Sequence, residues 1–144
     1  MKYILAKAKP DDIDLLIEYK LDSILKYAEN LSEEEANRIR NYVTANIPNQ
    51  INSYKVIKIE DKTAGCLLVY KFRDGVLLDE IFIKEKHRHN GIGSEIIKSI
   101  LNKNKNVYLW VYKSNVNAIK LYNKLGFDVV EIENQRYLMA HKQK

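Results

Sequence analysis

The chain has 144 residues, a length typical of one domain, so we expect a single domain over residues 1–144. Its apolar runs are far too short to cross a bilayer and its start does not read as a secretory leader, so we expect a cytoplasmic protein with no membrane partner. One cysteine excludes an internal disulfide, and the three histidines lack metal-site spacing. Residues 73–144 carry 13 Lys and Arg against 8 Asp and Glu, and the net charge of +5 therefore favours a polyanionic ligand there.

The first third of the chain predicts one strand and two helices. The strand covers Lys2–Ala6, and apolar residues then recur at helical spacing from Ile13 to Leu25. Ser32, with a glutamate three residues later, forms a capping box that predicts the start of the second helix. We expect this helix to end before Pro48, because proline lacks the backbone N–H that continues a helix.

From Tyr54 onward the pattern changes to that of strands. Tyr54–Glu60, Thr63–Phe72 and Val76–Ile83 are separated by short turns and predict an antiparallel meander. Cys66 lies in the second of these strands among apolar neighbours, which is typical of a packed thiol. We therefore expect no covalent intermediate on this cysteine.

The stretch Asp79–Leu101 contains a strand, a basic loop and an amphipathic helix over Gly93–Asn102. Gly91 and Gly93 allow a ligand to approach the backbone, and the helix start offers free N–H groups and a positive dipole end. This combination favours a phosphate. A dinucleotide fingerprint is excluded because Ile96 stands at the position of its third glycine, and a Walker loop is absent.

The chain after the loop continues with a buried strand over Val107–Val111, a helix over Asn115–Leu125 and a hairpin of Asp128–Glu133 with Arg136–His141. The connection from Val76–Ile83 through the helix to the next strand has the length of a right-handed parallel crossover. The loop therefore lies at the carboxyl end of a strand, where open α/β sheets bind ligands.

Two motifs in this half resemble those of the GNAT superfamily of N-acetyltransferases. The family's Q/RxxGxG/A loop and its NxxAxxxYxxxGF motif are matched by Arg88, His89, Asn90, Gly91, Ile92 and Gly93, and by Asn115, Ala118, Tyr122, Gly126 and Phe127. The resemblance implies an α/β (α+β) fold with a central mixed, mostly antiparallel sheet of about seven strands and about four helices. One parallel pair of strands is expected to splay apart at an acetyl-CoA site.

The resemblance implies acetyl-CoA as the acetyl donor and no metal. The main chain of the strand before the loop is expected to bind the pantetheine arm, and the loop N–H groups are expected to bind the pyrophosphate. Asn115 has two interpretations, as a helix cap and as a contact to the arm. The implied cofactor-binding residues are Ile81, Phe82, Ile83, Arg88, His89, Asn90, Gly91, Ile92, Gly93, Ser94, Asn115 and Tyr122.

The resemblance also implies direct acetyl transfer to an amine. Tyr122 matches the family's general acid, and its helical spacing leaves a packing role open as the alternative. Asp79 and Glu80 are the candidate bases, and Glu80 is favoured for its reach; a water relay stays open. Adjacent strand residues face opposite sides of a sheet unless a bulge intervenes, so only one is expected to face the acetyl group.

The local sequence around Asp79 and Glu80 is similar to that of spermidine/spermine N-acetyltransferases, but no motif identifies the acceptor. The alternative function is a non-catalytic acyl-CoA-binding module on the same fold. No nucleic-acid motif is present, so RNA is expected only if it carries the amine, and a homodimer stays open. The residues expected to line the acceptor groove are Ile17, Tyr19, Tyr27, Tyr42, Asn134 and Arg136.

Overall fold

The structure is a computed structural model that describes residues 2–143. Within these residues the order of helices and strands is β1 (Ile4–Lys7), α1 (Ile13–Tyr27), α2 (Glu33–Gln50), β2 (Tyr54–Ile59), β3 (Lys62–Phe72), β4 (Gly75–Ile83), α3 (Ile92–Lys103), β5 (Asn106–Tyr112), α4 (Val116–Lys124), β6 (Asp128–Ile132) and β7 (Arg136–Lys142). The predicted helices and strands are therefore confirmed, and the first strand begins two residues later than expected.

The strands form one sheet in the order β1-β2-β3-β4-β5-β7-β6. Every neighbouring pair is antiparallel except β4 and β5, which run parallel. Helices α1 and α2 pack on one face through a core that includes Leu16 and Ile47, and α3 packs on the other through Ile96 and Ile97. The predicted fold class, a mixed and mostly antiparallel sheet with four helices, is confirmed.

The parallel pair β4–β5 separates after three residue pairs. Val76, Leu77 and Leu78 pair with Val107, Tyr108 and Leu109, and the remainder of β4 pairs only with β3. The gap beyond Leu78 opens next to the carboxyl end of β4. The predicted splayed parallel pair is therefore confirmed.

Helix α2 begins as predicted but ends later than predicted. The Ser32 hydroxyl accepts a hydrogen bond from the Glu35 N–H at 3.1 Å, and the Glu35 carboxylate accepts one from the Ser32 N–H at 3.3 Å. The expected end before Pro48 is wrong, because the helix continues to Gln50. Ile47 is buried in the core while Pro48 faces solvent, so packing of the last turn outweighs one missing backbone hydrogen bond.

A β-bulge interrupts the pairing of β3 with β4. Leu68 pairs with Glu80 and Val69 pairs with Leu78, so Asp79 is an extra residue without a partner on β3. A bulge rotates the side chains on one side of it relative to the regular alternation. The side chains of Asp79 and Glu80 therefore do not have to point to opposite faces of the sheet.

No helix among residues 2–143 combines the length and the apolar character that crossing a membrane requires.

Candidate active site

A cavity of about 630 Å³ fills the gap between β4 and β5. One side is formed by the loop before α3, the start of α3 and helix α4, and the other side is formed by α1. Because α1 and α3 lie on opposite faces of the sheet, the cavity passes through the sheet at the point where the strands part. Two ligands can thus meet there from opposite faces.

The glycine loop is held by a backbone conformation and by one arginine. Gly91 has φ +79° and is the N-cap of α3, and a Cβ at this position would meet no other atom within 4 Å. The Arg88 Nε donates to the Ile83 carbonyl at 2.6 Å, and its guanidinium lies 5.4 Å from the centre of the Phe82 ring. The loop therefore presents an open helix start, fixed against the end of β4.

Only part of the predicted loop set lines the cavity. Arg88, His89 and Gly93 do so, and Gly93 has room for a methyl group at 3.5 Å from the Ile83 side chain. Ile92 is buried in the core, where it anchors α3. Asn90, Gly91 and Ser94 lie outside the cavity lining, and the Asn90 amide donates to the His87 carbonyl at 3.3 Å.

The end of β4 offers main-chain groups to the gap. The Lys84 N–H donates to the Ala64 carbonyl at 2.8 Å, which shows which residues of β4 direct their main-chain groups toward β3. In an antiparallel pair, every second residue directs both its N–H and its C=O toward the partner strand. The N–H and C=O groups of Phe82 therefore face β3, whereas those of Ile81 and Ile83 face the gap. The Phe82 ring instead stacks on Tyr19, with centroids 4.5 Å apart.

Tyr122 and Asn115 line the cavity from α4. The Tyr122 ring is half-buried against Phe127, and burial, with the nearby Tyr27, raises the pKa of its phenol to about 12. Within residues 2–143 its hydroxyl makes no hydrogen bond. The Asn115 Oδ1 accepts a hydrogen bond from the Ala118 N–H at 3.3 Å, so the predicted helix cap is confirmed.

Glu80 is a buried carboxylate with hydrogen bonds to both oxygens. Its Oε1 accepts from the Tyr54 hydroxyl at 2.6 Å and its Oε2 accepts from the Cys66 thiol at 3.3 Å. Burial and the neighbouring carboxylate raise the pKa values of both donors. Tyr54 and Cys66 therefore remain protonated donors, and Cys66 is the packed thiol that its neighbours predicted.

Asp79 lies beside Glu80 on the α1 side and is more accessible. Its side chain is 23% exposed, against 5% for that of Glu80, and its Oδ2 accepts from the Tyr70 hydroxyl at 2.9 Å. The Lys20 Nζ lies 3.8 Å from Asp79 Oδ2 and 3.5 Å from Glu80 Oε1. The bulge thus brings both carboxylates to one cation, which is the exception that the expected alternation of strand residues allowed.

The predicted acceptor groove is only partly found. Tyr27 and Arg136 line the cavity, whereas Ile17, Tyr19, Tyr42 and Asn134 do not. Sequence reasoning missed Lys20, Trp110 and Tyr112, which do line it. Lys20 had a detectable signal, because it follows buried Leu16 by four residues and precedes Tyr27 by seven on the inward face of α1.

Known proteins support this architecture. The sequence model of the Acetyltransferase (GNAT) family matches residues 18–127. The PaiA N-acetyltransferase of Thermoplasma acidophilum, solved in complex with coenzyme A, superposes with a TM-score of 0.78 at 22% identity over 99% of both chains. PH1933 of Pyrococcus horikoshii OT3 superposes with a TM-score of 0.74 at 22% identity, again over 99% of both chains.

Two curated relatives match a shorter segment. The spermine/spermidine N(1)-acetyltransferase of Bacillus subtilis (strain 168) is 34% identical over 58 residues, which are 36% of this chain and 38% of that protein. The probable spermine N(1)-acetyltransferase of B. subtilis subsp. natto is 33% identical over a segment of the same length and coverage. The match thus spans little more than a third of these relatives. The family model, by contrast, covers most of this chain, which belongs to the GNAT family of acetyltransferases.

Proposed function

We propose that this protein transfers an acetyl group from acetyl-CoA directly to a primary amine. The main support for this proposal is the cavity, which joins a helix N-terminus on one face of the sheet to two carboxylates on the other. The first end suits a phosphate-bearing donor, and the second suits a cationic acceptor. Both substrates are bound at once, so no acetylated enzyme forms.

Acetyl-CoA binds at the loop end. The free N–H groups at the start of α3, with Arg88 and His89, hold the pyrophosphate. The pantetheine arm lies in the gap, where the peptide groups of Ile81 and Ile83 are directed and where Asn115 lines the opposite wall. The coenzyme A complex of the similarly folded PaiA protein supports this assignment. The thioester is then placed between Tyr122 and the acidic pair.

Asp79 is the general base of the proposed reaction. An amine with a pKa of about 10.4 is almost wholly protonated at neutral pH, so a carboxylate must take its proton before attack. From the sequence alone, the longer side chain of Glu80 favours this residue as the base. In the structure, however, both of its oxygens already accept hydrogen bonds and the side chain is nearly inaccessible. The greater exposure of Asp79 favours it instead, with Glu80 supplying a second fixed negative charge.

Tyr122 assists departure of the coenzyme. Asp79 first takes one proton from the bound ammonium and releases it to solvent. The neutral amine nitrogen then bonds to the acetyl carbon, the carbon–sulfur bond breaks, and a second proton passes from the nitrogen to Asp79. The thiolate takes a proton from the Tyr122 hydroxyl, which solvent then restores. A phenol whose pKa is raised to about 12 still carries this proton at neutral pH, so it is ready in every enzyme molecule.

The test is incubation with acetyl-CoA and a panel of amines, with free thiol and acetylated amine measured together. We expect the two products in equal amounts for at least one amine, and no thiol release without an amine. Binding of coenzyme A with no release across the panel would contradict the proposal. That result would support the alternative of a non-catalytic acyl-CoA-binding module.

A further inference from the structure

We infer that Lys20 makes this site selective for acceptors with a single positive charge and directs it away from polyamines. The inference rests on the proposed function and names the acceptor class: a primary amine on an uncharged apolar or aromatic body. Its basis is the position of the Lys20 ammonium, 3.5 Å from Glu80 Oε1 and 3.8 Å from Asp79 Oδ2. The chain thus already supplies a cation to the acidic pair.

Lys20 is held inside the molecule. Its side chain is only 18% exposed, and it projects from the face of α1 that covers β4. The carboxylates are also fixed without it, because the hydroxyls of Tyr54 and Tyr70 each donate a hydrogen bond to one of them. Lys20 therefore changes the charge of this end of the cavity more than its shape.

The remaining charge matches one ammonium. Two carboxylates beside Lys20 leave one uncompensated negative charge, which the reacting amine satisfies as it enters. The cavity as a whole is lined by four basic and four acidic side chains, counting Arg and Lys against Asp and Glu. No excess of negative charge is left for a second or third ammonium on the acceptor, so the free energy that its desolvation costs is not recovered.

The walls beside the acidic pair favour an apolar body. Ile24 and Tyr27 line the cavity from α1, and Trp110 and Tyr112 line it from β5. The Arg136 guanidinium lies 4.4 Å from the centre of the Trp110 ring and forms an ion pair with Glu133 at 2.9 Å, so this pair offers no free negative charge to a second ammonium. An aromatic or aliphatic monoamine is thus complementary to these walls, whereas an extended polycation is not.

The test compares phenethylamine with spermidine in the native protein and in two variants. We expect the native protein to have the higher kcat/KM for phenethylamine. Lys20→Gln is expected to raise kcat/KM for spermidine by at least about tenfold relative to phenethylamine, and this gain weakens with added salt. Lys20→Arg keeps the charge and is expected to keep the native preference.

Lys26→Gln is the matched control. It removes the same charge from the same helix at the exposed rim of the cavity, where Nζ lies 5.4 Å from the centre of the Tyr27 ring. Although Lys26 is one of the four basic residues that line the cavity, its side chain is exposed and water screens its charge, so we expect the preference between the two amines to stay within about twofold of the native value. An equal gain for spermidine in both glutamine variants would overturn the inference, because net charge would then explain it.

A second readout separates this inference from the proposed function. Spermidine is titrated calorimetrically into each protein saturated with coenzyme A, with no turnover required. We expect tighter spermidine binding by Lys20→Gln than by the native protein, and unchanged affinity overturns the inference. If tighter binding is found but no amine is acetylated by any variant, the proposed function fails while selection by Lys20 stands.

Discussion

The two ends of the cavity are built in different ways. The loop end consists mainly of peptide groups from one continuous stretch of chain, ending at the N-terminus of α3. The acidic end consists of side chains from α1, β2, β3 and β4, brought together by a bulge at Asp79. Backbone recognition leaves a local sequence pattern, whereas side-chain recognition assembled across a sheet leaves almost none.

The largest effect is expected at the acidic end, from Asp79→Asn. We expect kcat at pH 7 to fall about 1000-fold, within the range for loss of a general base. The deficit is expected to shrink as pH rises toward the pKa of the amine, because more of the acceptor is then already neutral. The pH profile of kcat with one saturating amine measures this.

Glu80→Gln is the matched variant for that experiment. We expect a smaller loss of kcat than in Asp79→Asn, together with lower stability, because the hydroxyl of Tyr54 and the thiol of Cys66 lose their charged acceptor. Denaturant unfolding of both variants reports the stability difference. A larger kcat loss in Glu80→Gln, with the fold intact, would assign the base to Glu80.

The next effect is expected where the two ends meet, from Tyr122→Phe. Loss of the hydroxyl is expected to lower kcat about 100-fold while coenzyme A affinity stays nearly unchanged. Tyr42→Phe is the control, because Tyr42 is 68% exposed and lies outside the cavity. Steady-state kinetics and a coenzyme A titration measure the two quantities. Native kcat in Tyr122→Phe would leave this residue a packing role only.

Two glycine variants test whether coenzyme A approaches the backbone at the loop end. Gly91→Ala places a side chain at φ +79°, so we expect a loss of about 1–2 kcal/mol of stability and weaker coenzyme A binding. Gly93→Ala has room within the protein, so we expect native stability but a loss of coenzyme A affinity of about tenfold if the ligand approaches this backbone. Thermal unfolding with and without coenzyme A distinguishes them. An unchanged affinity of Gly93→Ala for coenzyme A would contradict a close approach of the ligand to the backbone at this residue.

The last effect concerns stability at alkaline pH and is absent at neutral pH. Burial raises the pKa of Cys66, Tyr54 and Tyr122 in the folded state, so these groups lose protons first in the unfolded chain. Their contribution to stability is complete below about pH 8.5 and decreases with rising pH, by up to about 1.4 kcal/mol per pH unit for each group. Cys66→Ala is expected to delay the onset of the decline from about pH 8.5 to about pH 10. Urea unfolding from pH 7 to 10.5 measures it, and an unchanged onset would contradict a buried neutral thiol.

The difference between the two ends also explains what the sequence predicts. The loop, the strand before it and Asn115 with Tyr122 follow from local patterns, and the structure places them around one cavity. The bulge at Asp79 follows from pairing with β3, which no local pattern specifies. The spacing of Lys20 from Leu16 predicts the inward face of α1, but no local pattern indicates that Lys20 meets Asp79 and Glu80.

The end of α2 is a similar case at the level of the fold. Pro48 predicts a boundary through its missing N–H, but burial of Ile47 against the sheet keeps the last turn helical. Tertiary packing decided this boundary, as it decided the position of the acidic pair. Local chemistry thus predicts helix starts and loops well, and predicts long-range side-chain placement poorly.

Direct transfer is tested by initial-rate kinetics in which the concentrations of acetyl-CoA and of an accepted amine are both varied. Simultaneous occupation of the two ends predicts double-reciprocal plots that intersect, and thiol release only when the amine is present. Parallel lines, with thiol released by acetyl-CoA alone and an acetyl group retained on the protein, would contradict the proposed direct transfer through the sheet.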